Sequence, residues 1–210
     1  MKIAVLGTGM VGRTIAARLD ELGHDVVVGT RDPDATRARD DAPTSALATV
    51  PDAVADAEVV VNATNGTASI AMLSLAGADR LAGKVLLDIA NPLDFSAGFP
   101  PTLLVKDTDS LGEQIQRAFP DARVVKSLNT LTADLMVRPD LLPEGTSVFV
   151  SGDDASAKAT VTALLEEFGH TDVIDLGDIT TARGTEMLLP VWLRLMGALG
   201  TPMFNFKIVR

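Results

Sequence analysis

A run of three spaced glycines near the start of the chain, Gly7-Thr8-Gly9-Met10-Val11-Gly12, most constrains what this sequence can fold into. It follows an apolar stretch, Lys2 to Leu6, and precedes an amphipathic one, so a strand, a tight turn and a helix are predicted in succession. In that context the first glycine permits the turn, the second lets a phosphate approach the backbone, and the third lets helix and strand pack closely. We therefore predict a dinucleotide-binding fold, with the pyrophosphate at the amino end of the helix.

The end of the second predicted strand indicates which dinucleotide is bound. NAD-binding folds usually carry Asp or Glu at this place, where the carboxylate holds the ribose 2′-hydroxyl. Here the strand Asp25 to Gly29 is followed by Thr30 and Arg31. A hydroxyl and a guanidinium suit a 2′-phosphate, because arginine offers a fork of donors and a fixed positive charge. These residues favour NADP(H), although Asp32 leaves an NAD-binding alternative open.

Strands and helices alternate along the rest of the chain, which predicts an α/β fold of the Rossmann type with a doubly wound, mostly parallel sheet. Ligand sites in such sheets lie beyond the carboxyl ends of the strands. We also predict that residues 184–199 are helical and buried, because that segment is apolar on nearly all sides. Alternation of Phe204, Phe206 and Ile208 predicts a final strand. The same apolar tail either packs on the core or forms the seam of a homodimer.

Composition excludes several classes of function. The net charge of −10 argues against nucleic acid and anionic membranes as partners, since both bind basic surfaces. The chain has no cysteine, which excludes disulfides and thiol catalysis and fits a cytoplasmic protein. It has no tyrosine either, which excludes the tyrosine and lysine mechanism of short-chain dehydrogenases. The longest apolar stretch, Met187 to Leu199, is too short and too polar to span a bilayer.

The loops predicted at the carboxyl ends of the later strands carry mostly neutral hydrogen-bonding residues, such as Thr64, Asn91 and Asn129. Both histidines, His24 and His170, precede strands and are predicted to be surface turn residues far from a ligand. A nicotinamide site without an evident acid or base suits direct hydride transfer to a flavin-like ring, which needs stacking and orientation more than proton transfer.

Lys126 is the one candidate proton donor on these loops. Reduction of a ketone would require such a donor near the new alkoxide. Its alternative role is that of a structural amine at the end of a strand, and the sequence weighs the two roles equally. Lys126 and Asn129 are therefore our candidate catalytic residues.

Nearly the whole chain resembles the family of NADP oxidoreductases that depend on the deazaflavin coenzyme F420, and the related reductase domain of membrane ferric reductases. The resemblance lies in motifs along the chain: Lys2 to Gly9, Val27 to Arg31, Val124 to Thr130, Gly152 to Asp154 and Asp175 to Gly177, with Arg183 and Glu186. It implies a nucleotide domain over residues 1–143 and a small C-terminal α/β cap over residues 144–210 that closes an acceptor cleft.

The resemblance also implies roles for individual residues. Thr8, Gly9, Met10 and Val11 would line the pyrophosphate, Thr30 and Arg31 would bind the 2′-phosphate, and Ala63 and Thr64 would lie near the nicotinamide. This chain departs from the family at Met10, where asparagine is usual, and after Arg31, where Arg37 is the nearest substitute for a further basic residue. It also departs at Thr64-Asn65-Gly66 and near Asn129, where the family has an Ile-Pro type turn and a histidine.

The leading hypothesis is a reductase that moves hydride between NADPH and a deazaflavin or similar small-molecule acceptor. Gly7, Gly9, Gly12, Thr30 and Arg31 hold NADP in this hypothesis, and Thr64, Asn91, Lys126 and Asn129 shape the acceptor side. Two alternatives remain at this point: a reductase of an organic carbonyl, an imine or a chelated metal ion, and an NADP-binding sensor without catalytic activity.

Overall fold

The computed structural model describes residues 1–210 and contains ten strands. The strands are β1 (Lys2–Leu6), β2 (Asp25–Thr30), β3 (Ala46–Thr49), β4 (Val59–Asn62), β5 (Val85–Asp88), β6 (Leu93–Asp94), β7 (Thr102–Leu103), β8 (Arg123–Ser127), β9 (Ser147–Ser151) and β10 (Asp172–Gly177). Eight of them form one sheet in the order β10-β9-β8-β5-β4-β1-β2-β3, and β6 and β7 form a separate short hairpin. Every neighbouring pair in the large sheet is parallel except β8 and β9. The predicted doubly wound, mostly parallel sheet is confirmed.

Ten α-helices lie between the strands or, for the last two, after β10. They are α1 (Met10–Glu21), α2 (Pro33–Arg37), α3 (Val50–Ala55), α4 (Ser69–Ala76), α5 (Ala78–Leu81), α6 (Leu111–Ala118), α7 (Ala133–Val137), α8 (Ala155–Phe168), α9 (Ala182–Met187) and α10 (Leu189–Leu199). Not one of them has the length and apolar character that a bilayer crossing requires.

Two hydrophobic cores cover the two faces of the sheet. One joins the sheet to α1, α7 and α8, through residues such as Ile15, Leu135 and Val161. The other joins it to α3, α4, α5 and α6, through residues such as Leu73 and Ile115. Because both faces are covered, the central strands are apolar runs without alternation, which is typical of parallel sheets. These two layers fix the carboxyl ends of β1, β2, β4, β5 and β8 along one edge of the sheet.

The C-terminal segment, residues 144–210, contributes β9 and β10 to this same sheet. The antiparallel pairing of β8 with β9 joins the segment to the nucleotide-binding part through Lys126 and Ser127. That the segment closes an acceptor cleft stays a prediction.

Two expectations about the end of the chain are wrong. Residues 184–199 are helical as expected, although the segment is divided at Leu188 into α9 and α10, because Pro190 has no N–H to donate to the carbonyl of Glu186. The expected burial is wrong. Helix α10 is not buried all round, since Val191 is 50% exposed and Leu199 is 56% exposed. Burial within this chain therefore accounts for Leu189 and Leu193 but not for the exposed apolar residues of α10.

The final strand expected from Phe204, Phe206 and Ile208 is absent, and the last ten residues have no regular structure. The Phe206 carbonyl accepts a backbone bond from Ser147 at 2.9 Å, but the N–H of Ile208 donates to the Ser147 hydroxyl, also at 2.9 Å. In a paired strand the N–H of Ile208 would donate to a backbone carbonyl, but here a side-chain hydroxyl accepts it. Trp192 stacks on Phe204 with ring centroids 5.3 Å apart, which holds the tail against α10.

The prediction that both histidines are surface turn residues is wrong for His170, which is 3% exposed. Its Nε2 lies 2.9 Å from the Met136 carbonyl, while its Nδ1 is buried without a partner. Burial lowers the pKa of His170 and outweighs the opposite effect of that carbonyl. The residue is therefore neutral in the folded protein at neutral pH.

Candidate functional site

The glycine-rich loop between β1 and α1 has the shape that the sequence predicts. Gly7 has a φ of 126°, a conformation that side chains disfavour. A Cβ at Gly7 would overlap the carbonyl oxygen of Ala63, and a Cβ at Gly12 would overlap the carbonyl of Gly7 itself. Bend and helix are thus packed so closely that only glycine fits at these two positions.

Gly9 differs from these two glycines because its surroundings are open. A Cβ placed on Gly9 would meet no atom within 4 Å. Gly9 is also the N-cap of α1, where no side chain caps the free N–H groups of the first turn. The next residue, Met10, is 63% exposed, whereas Val11 packs against the core. The loop therefore presents backbone donors on an uncovered surface, as a pyrophosphate requires.

The end of β2 lies beside this loop. The parallel register pairs Leu6 with Gly29, so Thr30 and Arg31 follow next to the glycine turn. The Thr30 hydroxyl is buried and lies 2.8 Å from the hydroxyl of Thr36 in α2. Arg31 is exposed and has no ion pair in the chain. It is the residue of the pair that is free to bind an anion.

Asp32, which left an NAD alternative open, acts within the chain as the N-cap of α2. Its Oδ1 accepts a hydrogen bond from the backbone N–H of Ala35 at 2.9 Å. Carboxylates in this role stabilise a helix start. Because this carboxylate already caps a helix, it is less available to a ribose 2′-hydroxyl, which favours the NADP hypothesis.

Two arginines that sequence reasoning missed contact the glycine loop. Arg39 donates to the Thr8 hydroxyl at 2.8 Å, and both Arg39 and Arg13 donate to the Thr8 carbonyl at 3.3 Å. Both arginines also pair with Asp41. No spacing rule connects Arg39 to a loop that precedes it by about thirty residues, so only the fold brings them together. Arg37, named above as the substitute basic residue, is exposed and pairs with Asp34 instead.

A buried polar network lies behind the predicted acceptor side. The Asn62 amide donates to Asp88 at 2.8 Å and to Ser69 at 3.0 Å, and the Thr64 hydroxyl donates to Asn62 at 2.7 Å. These bonds fix the loop after β4, which begins with Ala63 and Thr64. A Cβ at Gly66 would overlap the Asn91 carbonyl, so this loop also presses on the loop after β5.

Lys126 is at the centre of this network. Its side chain is 0% exposed, and its Nζ lies 2.8 Å from Asp88 and 2.9 Å from Glu186. It also donates to the Ala90 carbonyl. Burial alone would lower the pKa of Lys126, but the charges of Asp88 and Glu186 outweigh burial and raise it. The amine stays protonated and enclosed, which favours its structural role over that of a proton donor to a substrate.

Glu186 connects this lysine to the amino end of α6. Its carboxylate accepts the backbone N–H of Leu111 at 2.8 Å and of Gly112 at 3.1 Å. Carboxylates stabilise helix amino ends through such bonds. One buried cluster therefore joins β5, β8, α6 and α9.

Asn91 and Asn129 form a reciprocal pair at the same edge. The Asn91 amide donates to the Asn129 carbonyl at 2.8 Å, and the Asn129 amide donates to Asn91 Oδ1 at 3.0 Å and to the Thr185 carbonyl at 3.1 Å. Leu128, just before Asn129, has a φ of 60°, which is an outlier for leucine. Strained backbone of this kind concentrates at functional sites. The structure thus brings Thr64, Asn91, Lys126 and Asn129 to one edge, as predicted, and their roles there stay predictions.

A cleft of about 320 Å³ opens beside these loops, lined by Gly66, Ile70, Pro92, Leu104 and Leu111 among others. It is partly apolar and lies at the carboxyl ends of β4 and β5. A larger cleft of about 510 Å³ lies around Arg117 and Arg123, at the start of β8 and so at the opposite end of the sheet from the glycine loop.

The sequence of the chain was compared with protein families and with known proteins. Residues 2–92 match the family model described as NADP oxidoreductase, coenzyme F420-dependent. The chain is 30% identical to the F420-dependent NADP reductase of Methanothermobacter thermautotrophicus, over 93% of this chain and 89% of that protein. It is 33% identical to the metalloreductase STEAP3 of Rattus norvegicus over 91% of this chain, but spans only 38% of the rat protein.

A solved structure agrees with this placement. The 1.70 Å crystal structure of a candidate F420-dependent NADP reductase from Arthrobacter sp. FB24 is 64% identical, with a TM-score of 0.97 and complete coverage of both chains. Similarity of this extent includes the C-terminal strands and helices as well as the nucleotide-binding part. By descent as well as by the architecture of its glycine loop, this chain belongs to the family of coenzyme F420-dependent NADP oxidoreductases.

Proposed function

We propose that this protein transfers hydride between NADPH and coenzyme F420. The observation that carries the proposal is the unpaired Arg31 at the end of β2, beside a glycine loop with uncovered backbone donors. It is supported by membership of a family whose methanogen relatives are named for this reaction. The reduced nicotinamide supplies a hydride, which carries two electrons, and the deazaflavin takes up that hydride together with one proton from water.

The glycine loop and the end of β2 hold the nucleotide in this proposal. Backbone groups of Thr8, Gly9, Met10 and Val11 bind the pyrophosphate, while Gly7 and Gly12 permit the bend and the close packing of α1. Arg31, with Thr30 beside it, binds the 2′-phosphate. Guanidinium groups suit phosphate because they combine permanent charge with two parallel donors.

The acceptor side is formed by the loops after β4, β5 and β8. Ala63 and Thr64 lie next to the nicotinamide, and the pair of Asn91 and Asn129 orients the acceptor. We assign Lys126 a positioning role, because its amine is enclosed by Asp88 and Glu186 and cannot reach a ligand. Orientation of two rings is the main requirement of hydride transfer, and fixed amides provide it while the proton comes from water and not from a side chain.

The C-terminal segment takes part through α9. Thr185 accepts a bond from Asn129, and Glu186 pairs with Lys126, so this helix borders the acceptor side. We propose that residues 144–210 form one wall of the acceptor cleft while continuing the sheet of the nucleotide-binding part. The exposed apolar residues Val191 and Leu199 of α10 would face a second copy of the chain, which sedimentation over a range of concentrations tests.

An anaerobic titration tests the proposed reaction. Oxidised F420 is added to NADPH-loaded protein, and the visible absorbance of F420 is followed together with the nicotinamide absorbance. We expect both absorbances to fall, with one mole of F420 reduced for each mole of NADPH oxidised. Arg31→Ala should slow the reaction at low NADPH and recover at high NADPH, whereas Arg138→Gln, in the distant exposed pair with Asp140, should match the wild type. Tight NADPH binding with no change in either absorbance would instead identify a sensor without catalytic activity.

A chelated ferric ion is the second candidate acceptor, because the rat metalloreductase matches nearly the whole chain. We rank it below F420, since a ferric ion accepts single electrons whereas the reduced nicotinamide releases two as hydride. The same assay with a ferric chelate in place of F420 separates the two acceptors. Faster NADPH oxidation with the chelate, at two ferric ions reduced per NADPH, would reverse the ranking.

A further inference from the structure

We propose that Arg39 is a second cation for the adenosine 2′-phosphate and that Asp41 is its built-in counter-ion, which competes with the phosphate. This inference rests on the proposed binding of NADP. It assigns a specificity-determining role to a residue that no motif in the sequence indicates, and it gives the chain a means of setting its affinity for the phosphorylated dinucleotide.

The position of Arg39 is defined by its contacts with the glycine loop. One terminal nitrogen donates to the Thr8 hydroxyl at 2.8 Å, and the other lies 3.3 Å from the Thr8 carbonyl. The side chain of Arg39 remains more than one-third exposed in spite of these bonds. The side chain therefore lies against the loop while part of it stays open to solvent, where a ligand can approach.

Arg39 lies on the side of the loop where the adenosine end of a dinucleotide is expected. Strand β2 neighbours β1 on one side and β4 lies on the other, with the predicted nicotinamide loop after β4. Arg39 follows α2, which continues directly from β2, and the bond between Thr30 and Thr36 holds α2 on the end of that strand. Arg39 thus belongs, like Arg31, to the segment that follows β2, and not to the loop after β4. The 2′-phosphate is therefore its expected partner, rather than the pyrophosphate.

Asp41 occupies donors that a phosphate would use. Its carboxylate accepts from Arg39 Nε at 2.8 Å and Nη2 at 2.9 Å, and it also pairs with Arg13. Hydrogen bonds from Arg39, together with those from Arg13, hold the pKa of Asp41 below its usual value, so the carboxylate stays charged at neutral pH. Two cations and one anion leave a net charge of +1 on this cluster, and removal of the anion would raise it to +2. A dianionic phosphate is attracted more strongly by the second state.

The competing assignment gives this role to Arg37, which lies closer to Arg31 in the sequence. Arg37 pairs with Asp34 within the same short helix, and both side chains are exposed. Neither forms a hydrogen bond or an ion pair with the glycine loop. The two assignments make opposite predictions for the same pair of variants, so one experiment decides between them.

The experiment measures binding of 2′,5′-ADP and 5′-AMP by isothermal titration calorimetry, and of NADPH and NADH by fluorescence. For Arg39→Gln we expect about a tenfold loss of affinity for 2′,5′-ADP and NADPH, roughly 1.4 kcal/mol, with 5′-AMP and NADH changed less than about twofold. For Asp41→Asn we expect the affinity for 2′,5′-ADP to rise about threefold or more, because the isosteric amide keeps the shape and removes the charge. Arg37→Gln and the distant Arg138→Gln should match the wild type.

Each contrary result has a definite meaning. Equal losses of 5′-AMP and 2′,5′-ADP binding in Arg39→Gln would show that Arg39 merely shapes the loop, and overturn the assignment. A loss in Arg37→Gln with none in Arg39→Gln would transfer the role to Arg37. Unchanged or weaker binding in Asp41→Asn would refute the counter-ion. Failure of the wild type to bind 2′,5′-ADP would refute the proposed function itself, a separate outcome from all of these.

Discussion

Replacement of Lys126 by methionine tests whether this residue is structural. Its ammonium group is completely buried and lies between Asp88 at 2.8 Å and Glu186 at 2.9 Å, both also buried. Lys126→Met keeps most of the side-chain volume but leaves two carboxylates facing each other without a cation. Removal of one partner from a buried ion pair costs about 3–5 kcal/mol. In a domain of this size ~1 kcal/mol shifts Tm by about 2–4 °C, so we expect Tm to fall by roughly 6–20 °C.

Thermal unfolding followed by circular dichroism measures this loss, and Lys207→Met provides the control. Lys207 pairs with Glu144 on the surface, where such pairs contribute about 0–1 kcal/mol. The charges of Asp88 and Glu186 raise the pKa of Lys126 in spite of burial. The stability that this residue contributes is therefore complete below its unfolded-state pKa of about 10.4, and it is lost only as the pH rises through its folded-state pKa. The gap in Tm between wild type and Lys126→Met should therefore stay constant from about pH 7 to 9. A Tm drop no larger than that of Lys207→Met would refute the reasoning.

Two further predictions concern the glycine loop and the buried histidine. Gly9→Ala should keep the wild-type Tm and weaken NADPH binding, since its Cβ would point into open space. Gly12→Ala should lower Tm, because its Cβ would overlap the Gly7 carbonyl. Equal Tm values for the two variants would contradict this account. Burial lowers the pKa of His170, so below about pH 6.5 the unfolded chain takes up a proton that the folded one refuses, and stability falls as pH decreases toward the folded value. His170→Gln should reduce the fall in Tm between about pH 7 and pH 5.5, and an identical slope in wild type and variant would show that another group is responsible.

Local patterns were enough to predict the nucleotide half of the molecule. Gly7 and Gly12 carry a steric requirement that can be read from spacing, and the apolar runs of β1 and β4 indicate a buried parallel sheet. The cation at Arg31 follows from its place two residues beyond the strand predicted over Asp25 to Gly29. Each of these inferences depends on residues that are neighbours along the chain.

The remaining features depend on contacts between distant segments. Arg39 reaches Thr8, and Lys126 meets Glu186, only because the fold brings different loops to one edge of the sheet. The composition of α10 suggested burial, but burial is decided by what packs against a helix, and Val191 has no such cover. His170 precedes a strand like a surface turn residue, yet the carbonyl of Met136 and the surrounding core enclose it.

The most direct test of the central claim is the ratio of the affinities for NADPH and NADH in the wild type and in Arg31→Ala. Arg31 is exposed beside the glycine loop and has no ion pair of its own, so a 2′-phosphate would be its partner. We predict that the wild type prefers NADPH by about tenfold or more, worth ~1.4 kcal/mol, and that Arg31→Ala loses most of this preference. Equal affinities in the wild type, or a ratio that Arg31→Ala leaves unchanged, would contradict the account.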